Sequence, residues 1–322
     1  MDSGDKAMDA GMTDHSFRFG VQAHQARDGA AWTAQAQRAE ELGYSTLLVM
    51  DHFGDQLGPV PAMTAAAEAT TELRVGSLVF DNDYRHPVTL AKDIATVDLL
   101  SGGRVEFGLG AGWMASDYDE SGIQFDSAGV RIDRLEEAIA IFKGLWTSGH
   151  FSHDGDHYRI ANLDGTPKPV QQPHPPLLIG GGGNRMLGIA AREADIVGIN
   201  PKLGAGSISP EAARDSMADA VDAKVDRVSE AAGDRFDDIE LSVFSYAVVV
   251  TDDRHAVTDH IAGRFGVAAA DIDAMPYVLV GSAGEIADDL RRFRDRWGIT
   301  YFSVMVDAME PFAAVVDELA DT

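Results

Sequence analysis

Short apolar runs alternate with longer segments of helical periodicity along most of the chain. The runs are rich in Val, Ile, Leu and Phe and predict strands at 17–24, 45–50, 73–80, 104–110, 175–181, 194–200, 240–250 and 300–306. Between them apolar residues recur every three or four positions, which predicts helices at 30–42, 60–71, 88–100, 128–148, 184–193, 209–232, 283–297 and 310–320. This alternation indicates a parallel sheet.

Eight strand-helix units in 322 residues are typical of an α/β protein with a single closed (β/α)8 TIM barrel. A doubly wound open sheet is the alternative, but it usually carries G-x-G-x-x-G after its first strand, and residues 24–29 hold no such motif. Segments 149–174 and 251–282 exceed ordinary loop lengths, so we expect insertion loops at the C-terminal face. Within the first, "GHFSHDGDHYRI" predicts a hairpin.

Composition narrows the class of protein. The chain is 45% hydrophobic, which suits a large core, yet no apolar run is long enough to span a bilayer. The polar, acidic start lacks a signal core, so we expect a cytoplasmic protein with a flexible acidic tail at 1–16 before the barrel domain at 17–322. The absence of cysteine excludes disulfides, thiolate metal sites and a cysteine nucleophile.

The charge is strongly negative. Asp and Glu number 52 against 26 Lys and Arg, a net charge of −26, so clustered cations for a nucleic acid are lacking. An Asp-rich, Lys-poor surface suits a halophilic protein, because concentrated salt screens the repulsion among its carboxylates. Codon bias in a GC-rich genome is the alternative explanation.

Polar residues gather where the predicted strands end. In a barrel these ends form one functional rim. They include Gln22, His24, Asp51, His52, Ser77, Asn200 and Tyr246, together with "GLGAGWMASDY" after the fourth strand. Single residues there could be helix caps or could bond the backbone, but their convergence on one rim predicts a binding site.

Four consecutive glycines, Gly180, Gly181, Gly182 and Gly183, separate the fifth strand from a helix in "IGGGGNRMLGIAARE". Glycine is used where something approaches the backbone closely, and a helix N-terminus favours an anion, so the run predicts a phosphate-type ligand. A merely tight turn is the alternative.

Other chemistries lack their motifs. Neither H-x-H, H-E-x-x-H nor a G-x-S-x-G elbow occurs, so we expect no metal and no serine nucleophile. His153 and His157 are interpreted as part of a surface turn in the hairpin.

Three blocks resemble the luciferase-like barrel oxidoreductases, and within them the branch that uses the deazaflavin coenzyme F420. They are "GYSTLLVMDHF" (43–53), "LRVGSLVFDNDYRHPVTLAKDIATVDLLSGGRVEFGLGAGW" (73–113) and "PPLLIGGGGNRMLGIAAREADIVGI" (175–199). The resemblance implies a coenzyme across the barrel mouth, its phosphate held by the glycine run with Asn184 and Arg185. It implies coenzyme contacts at Asp51, Ser77, Leu78, Gly110, Gly112 and Trp113, with a non-proline cis peptide between Ser77 and Leu78.

The same resemblance implies hydride transfer between F420 and a small organic substrate, a carbonyl, alcohol or activated alkene. Asp51, His52 and His24 are the implied catalytic residues, with His52 as proton donor or acceptor and His24 as its rival. Trp113 stands where sugar-phosphate-oxidising relatives have Glu, so we expect a more apolar pocket. Its expected lining is His24, Trp113, Met114, Tyr118, Asn200 and Tyr246.

Two other functions fit the sequence. One is an FMN-dependent monooxygenase on the same barrel, and the other is a barrel that binds coenzyme without turnover. In each case we expect a homodimer, because relatives commonly pair through helices on the barrel flank.

The acidic surface predicts that stability depends on salt. We expect the melting temperature to rise from dilute buffer to molar KCl, because screening removes repulsion that the compact state cannot escape. A melting temperature that stays flat or falls with salt would favour codon bias.

Overall fold

The computed structural model describes residues 15–202, 210–320 and 322. Residues 1–14 of the predicted tail and position 209 of a predicted helix lie outside this part. The strands are Arg18–Ala23 (β1), Thr46–Val49 (β2), Arg74–Ser77 (β3), Phe80–Asp81 (β4), Val105–Gly110 (β5), His150–Asp154 (β6), Arg159–Asp164 (β7), Leu177–Gly181 (β8), Ile196–Ile199 (β9), Glu240–Ser245 (β10), Ala247–Val250 (β11), Val278–Gly281 (β12) and Ile299–Met305 (β13).

The α-helices are Gly29–Glu41 (α1), Pro59–Ala69 (α2), Pro87–Ser101 (α3), Ala115–Ser121 (α4), Ala128–Trp146 (α5), Asn184–Glu193 (α6), Pro210–Arg214 (α7), Ala218–Ala232 (α8), Arg254–Phe265 (α9), Ala269–Asp273 (α10), Ala283–Trp297 (α11) and Met309–Leu319 (α12). Short 3-10 turns lie at Asn82–Tyr84, Gly233–Asp238 and Val306–Ala308. Within the described chain, none of the helices combines the length and the apolar character that a bilayer crossing requires.

The predicted (β/α)8 barrel is confirmed. Parallel pairings run β3-β2-β1-β13-β10-β9-β8-β5, and β3 also pairs with β5, which closes the ring. The short β4 continues along β5 after a cis peptide between Leu78 and Val79, so β3 and β4 share one of eight positions. The helices pack outside, and most buried apolar side chains lie between them and the strands.

The cis bond lies one residue later than the resemblance implied, which placed it between Ser77 and Leu78. The N–H of Leu78 still donates to the carbonyl of Val49 at 3.0 Å, so the ladder with β2 extends through Leu78. The chain therefore leaves that ladder only after Leu78.

The segment 240–250 was predicted to be one strand, but it forms two strands, β10 and β11. β10 belongs to the barrel, whereas β11 pairs in parallel with β12 outside it. At the end of β10 the Ser245 hydroxyl donates to the carbonyl of Pro276 at 2.7 Å. This hydrogen bond connects the point where the two strands separate to the residues just before β12. The segment 251–282, which was predicted to be a long insertion loop, instead holds α9, α10 and β12, so that prediction was wrong.

The other insertion contains the predicted hairpin, in which β6 and β7 pair in antiparallel fashion. The Glu137 carboxylate of α5 accepts hydrogen bonds from the N–H groups of Asp156, His157 and Tyr158 at its turn. One carboxylate thus holds the hairpin on the barrel wall.

A buried ionic cluster fills the lower barrel interior, at the N-terminal ends of the strands. Glu106 of β5 is 2% exposed and pairs with Arg18 of β1 and with Arg74 of β3. The Arg18 guanidinium also lies 3.7 Å from the ring centre of Tyr301. Burial opposes ionisation of Glu106, but the two arginines hold its pKa below its ordinary value.

Above this cluster, β5 carries glycine at positions 108 and 110 because β3 and the chain leading into β4 press against it there. A Cβ at Gly108 would lie 1.8 Å from the carbonyl oxygen of Ser77, and one at Gly110 would lie 2.7 Å from the Val79 side chain. Only glycine leaves room for this approach. The glycines therefore allow Leu78 and Val79, which form a bulge between β3 and β4, to pack into the barrel interior.

We expect Gly108→Ala to lower the free energy of unfolding by about 3 kcal/mol, the upper end of the usual cost of overpacking, because the new Cβ meets backbone that cannot rotate away. Gly263→Ala is the matched control, since its Cβ would enter open space on α9 and should raise stability by about 0.5–1 kcal/mol. Urea unfolding measures both. A Gly108→Ala protein as stable as wild type would contradict this packing.

Candidate active site

The carboxyl ends of β2, β4 and β5 meet around Asp51. This carboxylate is 5% exposed and receives both terminal nitrogens of Arg85, at 2.6 and 2.9 Å. It also accepts from the backbone N–H of Asp81 at 3.0 Å. Asp51 therefore ties the end of β2 to the chain after the bulge, and its oxygens are already engaged.

His52 lies beside this pair and is held from two sides. Its Nδ1 lies 2.6 Å from Oδ2 of Asp117, in the first turn of α4, and its ring meets the Trp113 ring edge-on at 5.9 Å between centres. Its Nε2 has no hydrogen-bond partner in the part of the chain that the structure describes. The structure thus brings His52 and Trp113 together and leaves one imidazole nitrogen available.

Tyr118 does not line an open pocket, so its predicted role is corrected. Its side chain is 1% exposed, and its hydroxyl donates to Asp81 at 3.0 Å and to Asp83 at 3.2 Å. The oxygens of Asp81 also lie close to the positive-φ residue Gly112, where a Cβ would be 2.4 Å from Oδ2. Tyr118 and Gly112 consequently belong to the support under the rim.

Several buried polar atoms at the barrel mouth have no partner among the described residues. Gln22 is 4% exposed, and its Nε2 donates to the carbonyl of Leu78 at 3.0 Å, while its Oε1 is unpaired. Nδ1 of His24 is buried and unpaired as well, while its Nε2 lies 3.0 Å from Gln25. Because unpaired buried polar atoms are costly, these two side chains fit a ligand with polar groups.

The glycine run divides into two kinds of position. A Cβ at Gly180, Gly181 or Gly182 would lie within 2.5–2.7 Å of Asn200, Met186 or the backbone after β9. Close packing alone therefore accounts for these three. No described atom lies within 4 Å of the Cβ position of Gly183, and no described side chain caps the first turn of α6, which follows it. Gly183 and the exposed Asn184 therefore form the open end of this helix.

The guanidinium of Arg185 does not face the N-terminus of α6. Its guanidinium binds Asp133 and Glu136 of α5 at 2.6 and 2.5 Å. Those contacts leave only its backbone N–H at the helix N-terminus, so Arg185 departs from the role that the resemblance implied for its side chain.

The remaining predicted residues lie around the same rim. The hydroxyl of Ser77 is buried and donates to the carbonyl of Val49 at 2.9 Å, so its side chain is not available to a ligand. Leu78, Trp113, Met114 and Asn200 are partly exposed. Tyr246 is 42% exposed and stacks on Tyr277 at 6.1 Å.

Sequence reasoning missed three residues of this site. Arg85, Tyr84 and Asp117 all contact Asp51 or the group around His52, but they lie 33–65 residues from their partners along the chain. Arg85 and Tyr84 stand in "DNDYRHP" after the third predicted strand, and Asp117 stands in "GAGWMASDY". The high density of polar residues in these two segments was the sequence signal that could have identified them as part of the site.

Comparison with known proteins places these features in one family. Residues 12–316 match the luciferase-like monooxygenase family. The F420-dependent glucose-6-phosphate dehydrogenase of Amycolatopsis mediterranei is 33% identical over 168 residues, 50% of each chain. The FMNH2-dependent dimethylsulfone monooxygenase of Pseudomonas putida is 32% identical over 166 residues, 50% of this chain and 46% of that one.

These matches span about half the length of the two relatives. Among solved structures, the F420-dependent tetrahydromethanopterin reductase of Methanopyrus kandleri superposes with a TM-score of 0.75 at 19% identity, over 95% of this chain and 99% of that one. That likeness extends the shared fold over nearly the whole chain.

Asp81 predicts a pH dependence of stability. Burial, with the neighbouring charge of Asp83, raises the pKa of Asp81 to about 7 from its ordinary 3.8. Between these values the native protein holds a proton that the unfolded chain has lost, so native stability falls as pH rises from about 4 to about 7. We expect Asp81→Asn, which cannot ionise, to be more favourable relative to wild type at pH 8 than at pH 5.

Unfolding free energies at the two pH values measure this difference. Asp126→Asn is the control, because Arg134 lowers the pKa of Asp126 and its stabilisation is already complete at pH 5. It should cost the same at both pH values. A difference between Asp81→Asn and wild type that is constant or shrinks with pH would show that Asp81 is not the titrating group.

Proposed function

Because the chain belongs to the luciferase-like monooxygenase family, we propose that it is an F420-dependent oxidoreductase. It transfers a hydride between the deazaflavin and a small organic substrate, a carbonyl, alcohol or activated alkene. Relatives named for F420 and for FMNH2 match it equally well, so similarity alone does not distinguish the two coenzymes. The choice of F420 is argued from the residues of the candidate site.

The observation that carries the proposal is His52 on Asp117. Hydride transfer to a carbonyl needs a proton from a nearby acid, and the reverse reaction needs a base. His52 ends β2 at the barrel mouth with Nδ1 engaged by the carboxylate at 2.6 Å. An imidazole so oriented can give or take a proton through Nε2. This arrangement suits paired hydride and proton transfer.

The residues present fit the coenzyme at both ends. Among the described residues no side chain caps the N-terminus of α6 behind Gly183, and this end of the helix carries the positive end of the helix dipole, which suits the coenzyme phosphate. Deeper in the mouth, the unpaired Oε1 of Gln22 can accept a hydrogen bond from the polar edge of a ring. The bulge at Leu78 and Val79 stands beside Gln22 as an apolar surface.

F420, when bound, supplies the hydride chemistry. The chain's own residues orient the reactants, and His52 moves the accompanying proton at Nε2. His24, whose Nδ1 is buried and unpaired, binds a polar atom of the substrate or coenzyme. The partly exposed Trp113 and Met114 exclude water from the substrate and favour an apolar one.

We expect the protein to bind F420 in preference to FMN. Titrating each coenzyme under the same high-salt conditions, with intrinsic fluorescence or calorimetry as the readout, gives the two dissociation constants. Reduction or oxidation of bound F420 by a panel of small alcohols, ketones and enones then tests turnover. Tight FMN binding without F420 binding would overturn the proposal, and F420 binding without any turnover would favour a carrier.

The variant Gly183→Asp tests whether the N-terminus of α6 binds the coenzyme phosphate. An aspartate there has room, so the fold should survive, but its charge would meet the coenzyme phosphate in a partly desolvated turn. The dissociation constant should rise while the melting temperature of the free protein holds. Gly263→Asp, which adds the same charge on the exposed surface of α9, should change neither.

A further inference from the structure

We propose that Asp117 is the positioning residue of His52: it holds the proton of the neutral imidazole on Nδ1 and leaves Nε2 as the nitrogen that exchanges protons with substrate. The inference rests on the function proposed above, in which His52 moves that proton. Nothing in the spacing of the sequence joins the two residues, which lie 65 positions apart.

Asp117 is built into the site as a fixed acceptor. Its side chain is 6% exposed, compared with 18% for His52. It lies in the first turn of α4, where the helix dipole favours a negative charge. The 2.6 Å contact to Nδ1 is short, as expected of a charge-assisted hydrogen bond.

The other partners of Asp117 determine the direction of this bond. The Tyr84 hydroxyl donates to Oδ2 at 3.0 Å, and the backbone N–H of Phe53 donates to Oδ1 at 3.3 Å. Burial and the charges of Asp81 and Asp117 raise the pKa of Tyr84, which keeps its proton on the hydroxyl. A carboxylate that accepts from both neighbours can only accept from His52, so Nδ1 carries the proton.

Trp113 restrains the imidazole from a second side. Its ring meets that of His52 at 89° between planes and 5.9 Å between centres. With Nδ1 bonded and the ring packed, His52 cannot turn Nε2 away without losing both contacts. In proton transfer the negative charge of Asp117 also stabilises the imidazolium that forms. Buried aspartates stabilise other catalytic histidines in the same way.

The tautomer can be read without coenzyme or substrate. In protein labelled with ¹⁵N-histidine, long-range proton-nitrogen spectra at alkaline pH distinguish Nδ1–H from Nε2–H, and the signals missing in His52→Asn assign the residue. We expect Nδ1–H in wild type. An Nε2–H wild-type tautomer would overturn the proposal, and this reading does not require any Asp117 variant to fold.

Asp117→Asn should reverse the tautomer. Because the Phe53 N–H still requires an oxygen, the amide keeps its oxygen on that side and turns its NH2 toward Nδ1. The imidazole proton then moves to Nε2, which can no longer accept one. We expect kcat to fall about 10²–10⁴-fold, as for loss of general acid-base catalysis, with the F420 dissociation constant near wild type.

Two further variants separate positioning from a structural role. Asp117→Glu keeps an acceptor and should recover the Nδ1–H tautomer and part of kcat. Asp119→Asn removes the same charge from an exposed site on the same helix and should behave as wild type. A folded Asp117→Asn protein with wild-type tautomer and kcat would overturn the proposal. Preference for FMN would overturn the proposed function while the tautomer in the free protein still tested Asp117.

Discussion

The site depends on how closely the bulge between β3 and β4 approaches β5. The carbonyl of Ser77 occupies the space that a side chain at 108 would need, and Val79 covers position 110. This contact sets where Asp81 emerges, and Asp81 in turn positions its backbone N–H on Asp51 and its carboxylate under Tyr118. The hydrogen-bonded wall beneath His52, formed by Asp51, Asp81 and Tyr118, therefore depends on two glycines, of which Gly108 leaves room for the Ser77 backbone and Gly110 for the Val79 side chain.

Carboxylates, rather than cations, organise this wall. Asp51 holds Arg85, Asp117 holds His52 and Tyr84, and Asp83 pairs with Arg134. Each is buried with at least one specific donor, which is the condition under which a charge can leave water without prohibitive cost. An acidic chain with few lysines has thus placed these negative charges, like that of Glu106, in defined buried contacts.

The barrel and the helices from 283 to 297 and 184 to 193 could be predicted from periodicity, because amphipathic helices and apolar strands repeat along the chain. α9 was missed because it buries little beyond Thr258 and Ala262, so its periodicity is weak. The break at Tyr246 was missed because the apolar residues of β10 and β11 follow one another with no glycine or proline between them.

The rim residues were found because strand ends converge in any barrel, but their orientations were not visible. Tyr118 illustrates the limit, because an aromatic residue near the barrel rim can face a ligand or the residues beneath the rim, and local sequence does not distinguish these orientations. The Asp117 and His52 contact is tertiary, and no spacing rule reports it.

The closed lower end of the barrel has a kinetic consequence. Glu106, Arg18 and Tyr301 fill the barrel interior beneath Leu48 and Leu178, so in the part of the chain that the structure describes the rim is the end that a ligand can enter. When two ligands bind at different depths in a cavity with one entrance, the deeper ligand has to bind first and leave last. Under the function proposed above, a coenzyme that lies deeper than the substrate would therefore bind first and leave last, in an order set by depth in the barrel rather than by affinity.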